Sequence, residues 1–143
     1  VTYLEPDRQG NITAAQVEGA MRPDTALVSM MLVNNELGAI LPVGEVAQVI
    51  RRTGCPALLH CDAVQAAGKI PVFPEKMGVD ALSVSGHKLH APKGVGALYL
   101  RKGVRVVPRA LGGGQKKGLR SGTEPMPLIA AFGAAAAALP RPG

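Results

Sequence analysis

Ser85-Gly86-His87-Lys88 brings a hydroxyl, an imidazole and an amine into four residues. The stretch closes the apolar run Ala81-Leu82-Ser83-Val84 and opens a loop from His90 to Gly96 that is rich in Gly and Pro. A short apolar run bounded by turn residues reads as a buried strand. All three side chains are then delivered at a strand's carboxyl end, where open α/β sheets bind ligands. A lysine placed there, with little charge beside it, gives up its proton more readily than a solvated one, which is the condition for a Schiff base with an aldehyde. The same four residues also suit a surface lysine after a strand, so the choice rests on the rest of the chain.

Two further polar clusters follow apolar runs in the same way. Asn34-Asn35-Glu36 follows Ala26 to Val33, and Asp62 with Gln65 follows Ala57 to Cys61. In a parallel sheet, three such strand ends share one edge. A pyridoxal phosphate bound at that edge would take its amine from Lys88. Asp62 would supply the carboxylate that keeps the pyridine nitrogen protonated, because the charged ring is the electron sink. Gln65 and Asn35 are amides suited to the phenolic oxygen, and Ser85 and His87 are donors suited to the phosphate. Plainer uses exist for each: a strand-end or capping aspartate, turn amides, a structural histidine. His90 has no supporting neighbour and is left unassigned. Gly94 and Gly96 read as turn and close-packing residues. Gly112-Gly113-Gly114 lacks the strand-to-helix setting of a dinucleotide loop, and no GxxxxGK[ST] is present.

The elements that must position these residues alternate between strand and helix. Val1 to Leu4 reads as a strand fragment. Thr13 with Gln16 has the capping-box form, opening a helix to about Met21. Ala26 to Val33 is apolar on both sides, as a parallel strand covered on both faces would be. Pro42 to Arg52 carries Val43, Val46, Val49 and Ile50 at helical spacing and is stopped by Gly54. Ala57 to Cys61 is the next strand. Ala63 to Gly68 is rich in small residues and suits a short helix, Ile70 to Phe73 is a connector, and Glu75 to Met77 makes one helical turn. Only six residues separate Val95 to Leu100 from Lys88, too few for a crossover, so it should run antiparallel to the Ala81 strand or lie beside another. Val104 to Ala110 reads as extended, Gly112 to Gly122 as a mobile basic loop, and Pro125 to Leu139 as a helix rich in Ala. The expected fold class is α/β, a mostly parallel sheet with helices on both faces.

Composition narrows the function. The chain has 143 residues, 47% hydrophobic and 18% charged, which suits one globular domain. No apolar run approaches the length of a membrane span, and no signal peptide is visible. The net charge of +6 is scattered, and aromatic residues make up only 3%, with no Trp. That argues against a nucleic-acid surface, which would stack bases on aromatic rings; anionic small molecules explain the charge as well. Cys55 and Cys61 match no zinc or CxxC pattern and are badly placed for a disulfide, so both read as packing residues of a reduced, cytoplasmic protein with no metal. The chain starts with Val1, which suits a partial piece of a longer protein.

The motifs together resemble one family. Asn34-Asn35-Glu36-Leu37-Gly38, His60-Cys61-Asp62-Ala63-Val64-Gln65-Ala66-Ala67-Gly68-Lys69, Ser85-Gly86-His87-Lys88, Pro92 through Tyr99, Gly112 through Gln115 and Arg120 through Glu124 occur in order along nearly the whole chain. They are similar to those of group I cysteine desulfurases, class V aminotransferase-like enzymes of the fold-type I pyridoxal phosphate group. The resemblance implies that residues 1–143 form a single partial domain, the central part of the cofactor-binding large domain, without an N-terminal segment and a C-terminal small domain. It implies Lys88 as the Schiff-base lysine and Asp62 as the pyridinium partner. It places Gln65 and Asn35 near the phenolic oxygen and Ser85 and His87 on the phosphate. It implies that Thr123 reaches the phosphate of the neighbouring subunit in a homodimer.

The activity implied is removal of sulfur from L-cysteine, giving alanine and an enzyme persulfide for iron–sulfur or thiolation pathways through an acceptor protein. Neither Cys55 nor Cys61 occupies the position of the family's nucleophilic thiol, so this stretch is expected to be inactive alone. Ala91 stands where Gly is usual, and Lys116-Lys117 where an acidic residue often appears. Selenocysteine lyases share these motifs, and a non-catalytic remnant or partner-binding paralogue would be a rival of another class. Retention of Lys88, Asp62, Gln65 and His87 together argues against the remnant.

Overall fold

The computed structural model describes residues 1–140. Its frame is a four-stranded sheet in the order β1-β2-β3-β4, formed by Leu27–Met31, Leu58–Asp62, Ala81–Ser85 and Gly96–Leu100. The first three strands are parallel and β4 is antiparallel to β3. Register is continuous across the sheet: Met30 lies opposite Cys61, Cys61 opposite Leu82, and Leu82 opposite Tyr99. These four side chains, with Val28 and Leu59, belong to one core and therefore share one face.

Helices α1 (Ala14–Ala20), α2 (Val43–Thr53) and α3 (Pro74–Met77) cover that face. The α1 capping box is complete: the amide of Gln16 donates to Thr13 Oγ1 at 3.2 Å, and the amide of Thr13 donates to Gln16 Oε1 at 2.8 Å. In α2, Val43, Val46, Ala47, Val49 and Ile50 are buried as one stripe. Glu45 in its first turn and Arg51 and Arg52 in its last complement the helix dipole, and Gly54 ends it in the left-handed region. Both crossovers, β1 to β2 through α2 and β2 to β3 through α3, thus lie on the core face. α4 (Met126–Ala137) packs closely on the turn that follows β3.

Two local expectations change. Residues 1–7 form no strand. Ala63 to Gly68 makes overlapping turns instead of a helix, with the amides of Ala66 and Ala67 both donating to the carbonyl of Ala63. Gly68 ends those turns at φ 74°. Val104 to Ala110, read as extended, follows the turn at Gly103 and lies outside the four-stranded sheet.

Candidate active site

The parallel arrangement brings the ends of β1, β2 and β3 to one edge, and each end is built differently. After β1, Val33 pairs with Ile40 to close a small loop. Asn34 Oδ1 accepts from the amides of Glu36 at 2.9 Å and Leu37 at 2.8 Å, so Asn34 makes the turn. Asn35 is left exposed at its tip. Of two adjacent asparagines, one is used by the backbone and the other is available to a ligand.

At the end of β2, Asp62 Oδ1 accepts from the amide of Val64 at 2.9 Å. Among the described residues, Oδ2 has no such partner. Gln65 sits three residues on, half-buried in the turns after β2. Cys61 faces the other way, fully buried, and that burial pushes its thiol up to about 11, with the charge of Asp62 adding to the effect. Cys55 is half-buried before the amino end of β2, at the far edge of the sheet.

At the end of β3 the chain turns through a 3₁₀ helix, Gly86–Leu89. The amide of Gly86 donates to the carbonyl of Val95 at 2.9 Å, tying the turn to the start of β4. A Cβ on Gly86 would come within 2.9 Å of Val95 Cγ1, and one on Gly96 within 2.6 Å of the Val84 carbonyl oxygen, so side chains are excluded at both. Leu89 is buried and anchors the turn, whereas His87 and Lys88 are exposed. The sequestration expected of Lys88 is therefore not supplied by this stretch. Ser85 Oγ and His87 Nδ1 lie 2.7 Å apart, already paired. His90, unassigned from sequence, ends the turn in the left-handed region at φ 64° and has a structural use.

Thr123 is not hydrogen-bonded to any of these residues. It is exposed between the Gly112–Gly122 loop and α4, where the amide of Gly122 donates to Gln115 Oε1 at 3.1 Å. That loop contains a 3₁₀ turn, Lys116–Gly118, in which Lys116 and Lys117 both have positive φ.

The donor set suits pyridoxal phosphate. An exposed amine, a carboxylate with one oxygen free, a paired hydroxyl and imidazole, and an exposed amide gather at one edge with no competing acidic cluster. Among the described residues no three His, Cys, Asp or Glu side chains group to hold a metal, and no helix is long and apolar enough to cross a membrane.

Sequence reasoning missed two features near these strands. Asp80, only 9% exposed, accepts from the amide of Leu59 and from the Arg101 guanidinium, joining β2, β3 and β4 at the edge away from Lys88. On the open face, His60 joins Ser29 and Ser83. Period-2 alternation could have found the second, since it puts His60 on the face of Asp62.

Comparison with known proteins agrees with this arrangement. The family model for aminotransferase class-V matches residues 1–142. The cysteine desulfurase IscS of Anaeromyxobacter dehalogenans (strain 2CP-C) is 50% identical over 138 residues, 95% of this chain and 34% of that protein. The cysteine desulfurase of Mus musculus is 49% identical over 137 residues, 94% of this chain and 29% of that protein. Among solved structures, SspA in complex with cysteine superposes with a TM-score of 0.91 at 44% identity, covering 97% of this chain and 40% of that one. A NifS-like protein gives 0.90 at 45% identity, covering 94% and 37%. The chain spans about a third of the length of the curated relatives it matches. With the match running through the whole sheet and all three strand ends, the chain belongs to the class-V aminotransferase family, whose members are pyridoxal phosphate enzymes.

Proposed function

We propose that this chain is the central part of the large, cofactor-bearing domain of a cysteine desulfurase. The observation that carries the reading is the convergence of Asn35, Asp62, Ser85, His87 and Lys88 on the carboxyl edge of three adjacent parallel strands. In this reading Lys88 would hold the cofactor's aldehyde carbon, Asp62 would accept a hydrogen bond from its protonated ring nitrogen, Asn35 and Gln65 would serve its phenolic oxygen, and the Ser85–His87 pair would hold its phosphate. The bound cofactor supplies an electron sink for charge left at the substrate α-carbon. Lys88 Nζ, when not bonded to the cofactor, would accept the substrate's α-proton. L-cysteine and an enzyme thiol then give L-alanine and an enzyme persulfide, the sulfur–carbon bond of the substrate breaking as the sulfur–sulfur bond forms.

Several features support the finer points. Cys61 is buried on the opposite face and Cys55 lies at the opposite edge, so the sulfur-accepting thiol is assigned to another part of the full-length protein. Thr123, exposed and unengaged by its own site, is assigned to the cofactor phosphate of a second subunit in a homodimer. The solved relative that holds cysteine favours L-cysteine as substrate. The persulfide would pass to an acceptor protein for iron–sulfur assembly, in a cytoplasmic setting where free thiols such as Cys55 and Cys61 persist.

In the full-length protein, Lys88→Ala is expected to abolish the visible absorbance of the lysine-linked cofactor and to reduce alanine formation from L-cysteine to background. An unchanged cofactor spectrum in that variant would overturn the assignment.

A further inference from the structure

The open face of the sheet is apolar at Leu58, Ala81 and Leu98, yet a polar crossbar runs through it. His60 Nδ1 lies 2.8 Å from Ser29 Oγ on β1, and His60 Nε2 lies 3.2 Å from Ser83 Oγ on β3. One imidazole therefore spans three strands. By register Ser29 lies opposite His60 itself, whereas Ser83 lies opposite Asp62. The ring thus leans from its own rung toward the rung of the carboxylate. His60 and Asp62 are two residues apart on β2 and share a face, as do Ser83 and Ser85 on β3. Polar groups on a sheet face add little to stability that an apolar side chain would not supply, and they are unfavourable if left unpaired.

From this placement we propose that His60 is a positioning residue for the cofactor edge. It couples the strands that deliver Asn35, Asp62 and Ser85 through side-chain bonds that backbone pairing does not provide. The backbone ladder sets which residues are opposite one another, while the crossbar restrains the twist of each strand end relative to the next. A neutral imidazole offers one donor and one acceptor, so one serine must donate and the other accept. A glutamine can fill both roles, and a phenylalanine of similar size can fill neither.

This inference rests on the function proposed above, and the test separates the two. Full-length protein carrying His60→Phe, His60→Gln or Lys88→Ala is stripped of cofactor and titrated with pyridoxal phosphate, following the visible band, with the melting temperature of each apo-protein measured alongside. Loss of two hydrogen bonds is expected to raise the cofactor dissociation constant of His60→Phe about tenfold and to shift its visible band, with His60→Gln within about twofold of wild type. Wild-type affinity and spectrum in His60→Phe would overturn the proposal. So would equal losses in His60→Phe and His60→Gln at similar melting temperature, since that would reflect shape alone. Should His60→Phe fail to fold, the double variant Ser29→Ala/Ser83→Ala removes the same bonds with little change in volume, and unchanged affinity there overturns the proposal equally. A visible band that survives Lys88→Ala would instead bring down the cofactor assignment itself.

Discussion

Cys61 and Asp62 are neighbours in the chain with opposite surroundings, because successive strand residues point to opposite faces. Asp62 stands at the open edge with an oxygen free, and Cys61 is sealed against α2 with its thiol raised from 9.0 to about 11. Below pH 9 the thiol is protonated in both the folded and the unfolded chain. Between those two values the unfolded chain releases its proton and the folded chain keeps it, so stability falls as pH rises. The loss is complete above the folded value and amounts to about 2–3 kcal/mol. Urea unfolding of the full-length protein near pH 8 and near pH 10.5 should show this slope, and Cys61→Ala should flatten it by about 2 kcal/mol. An identical slope in the variant would mean that the thiol is not the group responsible. The placement of Ser85, His87 and Lys88 at the end of β3 was legible from sequence, because the apolar run from Ala81 stops at them. Asn35 was named as the ligand amide, but that Asn34 Oδ1 would make the turn beside it was not read from sequence.

At the level of elements, strands, helices and the antiparallel β4 followed from period, capping and loop length. The Thr13–Gln16 box marked the start of α1, and the six residues between Lys88 and Val95 left antiparallel pairing with β3, the arrangement found, as one of two readings. What escaped were contacts that depend on register. Ala81 pairs with Leu100, so Asp80 and Arg101 are the next pair outward, and the hairpin makes them meet. Asp80 Oδ1 lies 2.7 Å from Arg101 Nε while its Oδ2 accepts from the Leu59 amide at 2.7 Å. Asp80→Asn is expected to destabilise the full-length protein by about 1–3 kcal/mol, the lower half being favoured because Arg101 is half exposed. The urea midpoint reads this directly, and an unchanged midpoint would show that the pair contributes nothing net. Val104 to Ala110 was read as extended and joins no strand: β-branched residues mark a tolerance for extended backbone, and that tolerance alone does not make a sheet.

For the molecule as a whole, the sheet ends in two unpaired edges, β1 and β4, with Leu27 57% and Leu98 56% exposed beside them. Such edges invite association with other strands, in keeping with relatives about three times the length of this chain. The one antiparallel pairing also governs the order of assembly. β3 and β4 are joined by ten residues, Gly86 to Val95, whereas each parallel pair must first close a loop through an intervening helix. Closing a short loop loses less chain entropy, and hairpins form within about 1–10 μs. The β3–β4 hairpin is therefore expected to protect its amides before β1 and β2 do, and pulse-labelled hydrogen exchange during refolding would show the Ala97 and Tyr99 amides, which face β3, slowing ahead of the Cys61 amide. Simultaneous protection would refute that order. The 3₁₀ turn described above lies inside this hairpin. Lys88 would then take up its geometry while the strand that carries Asp62 is still searching for its register, and the amine would be in place before the carboxylate proposed to share its edge.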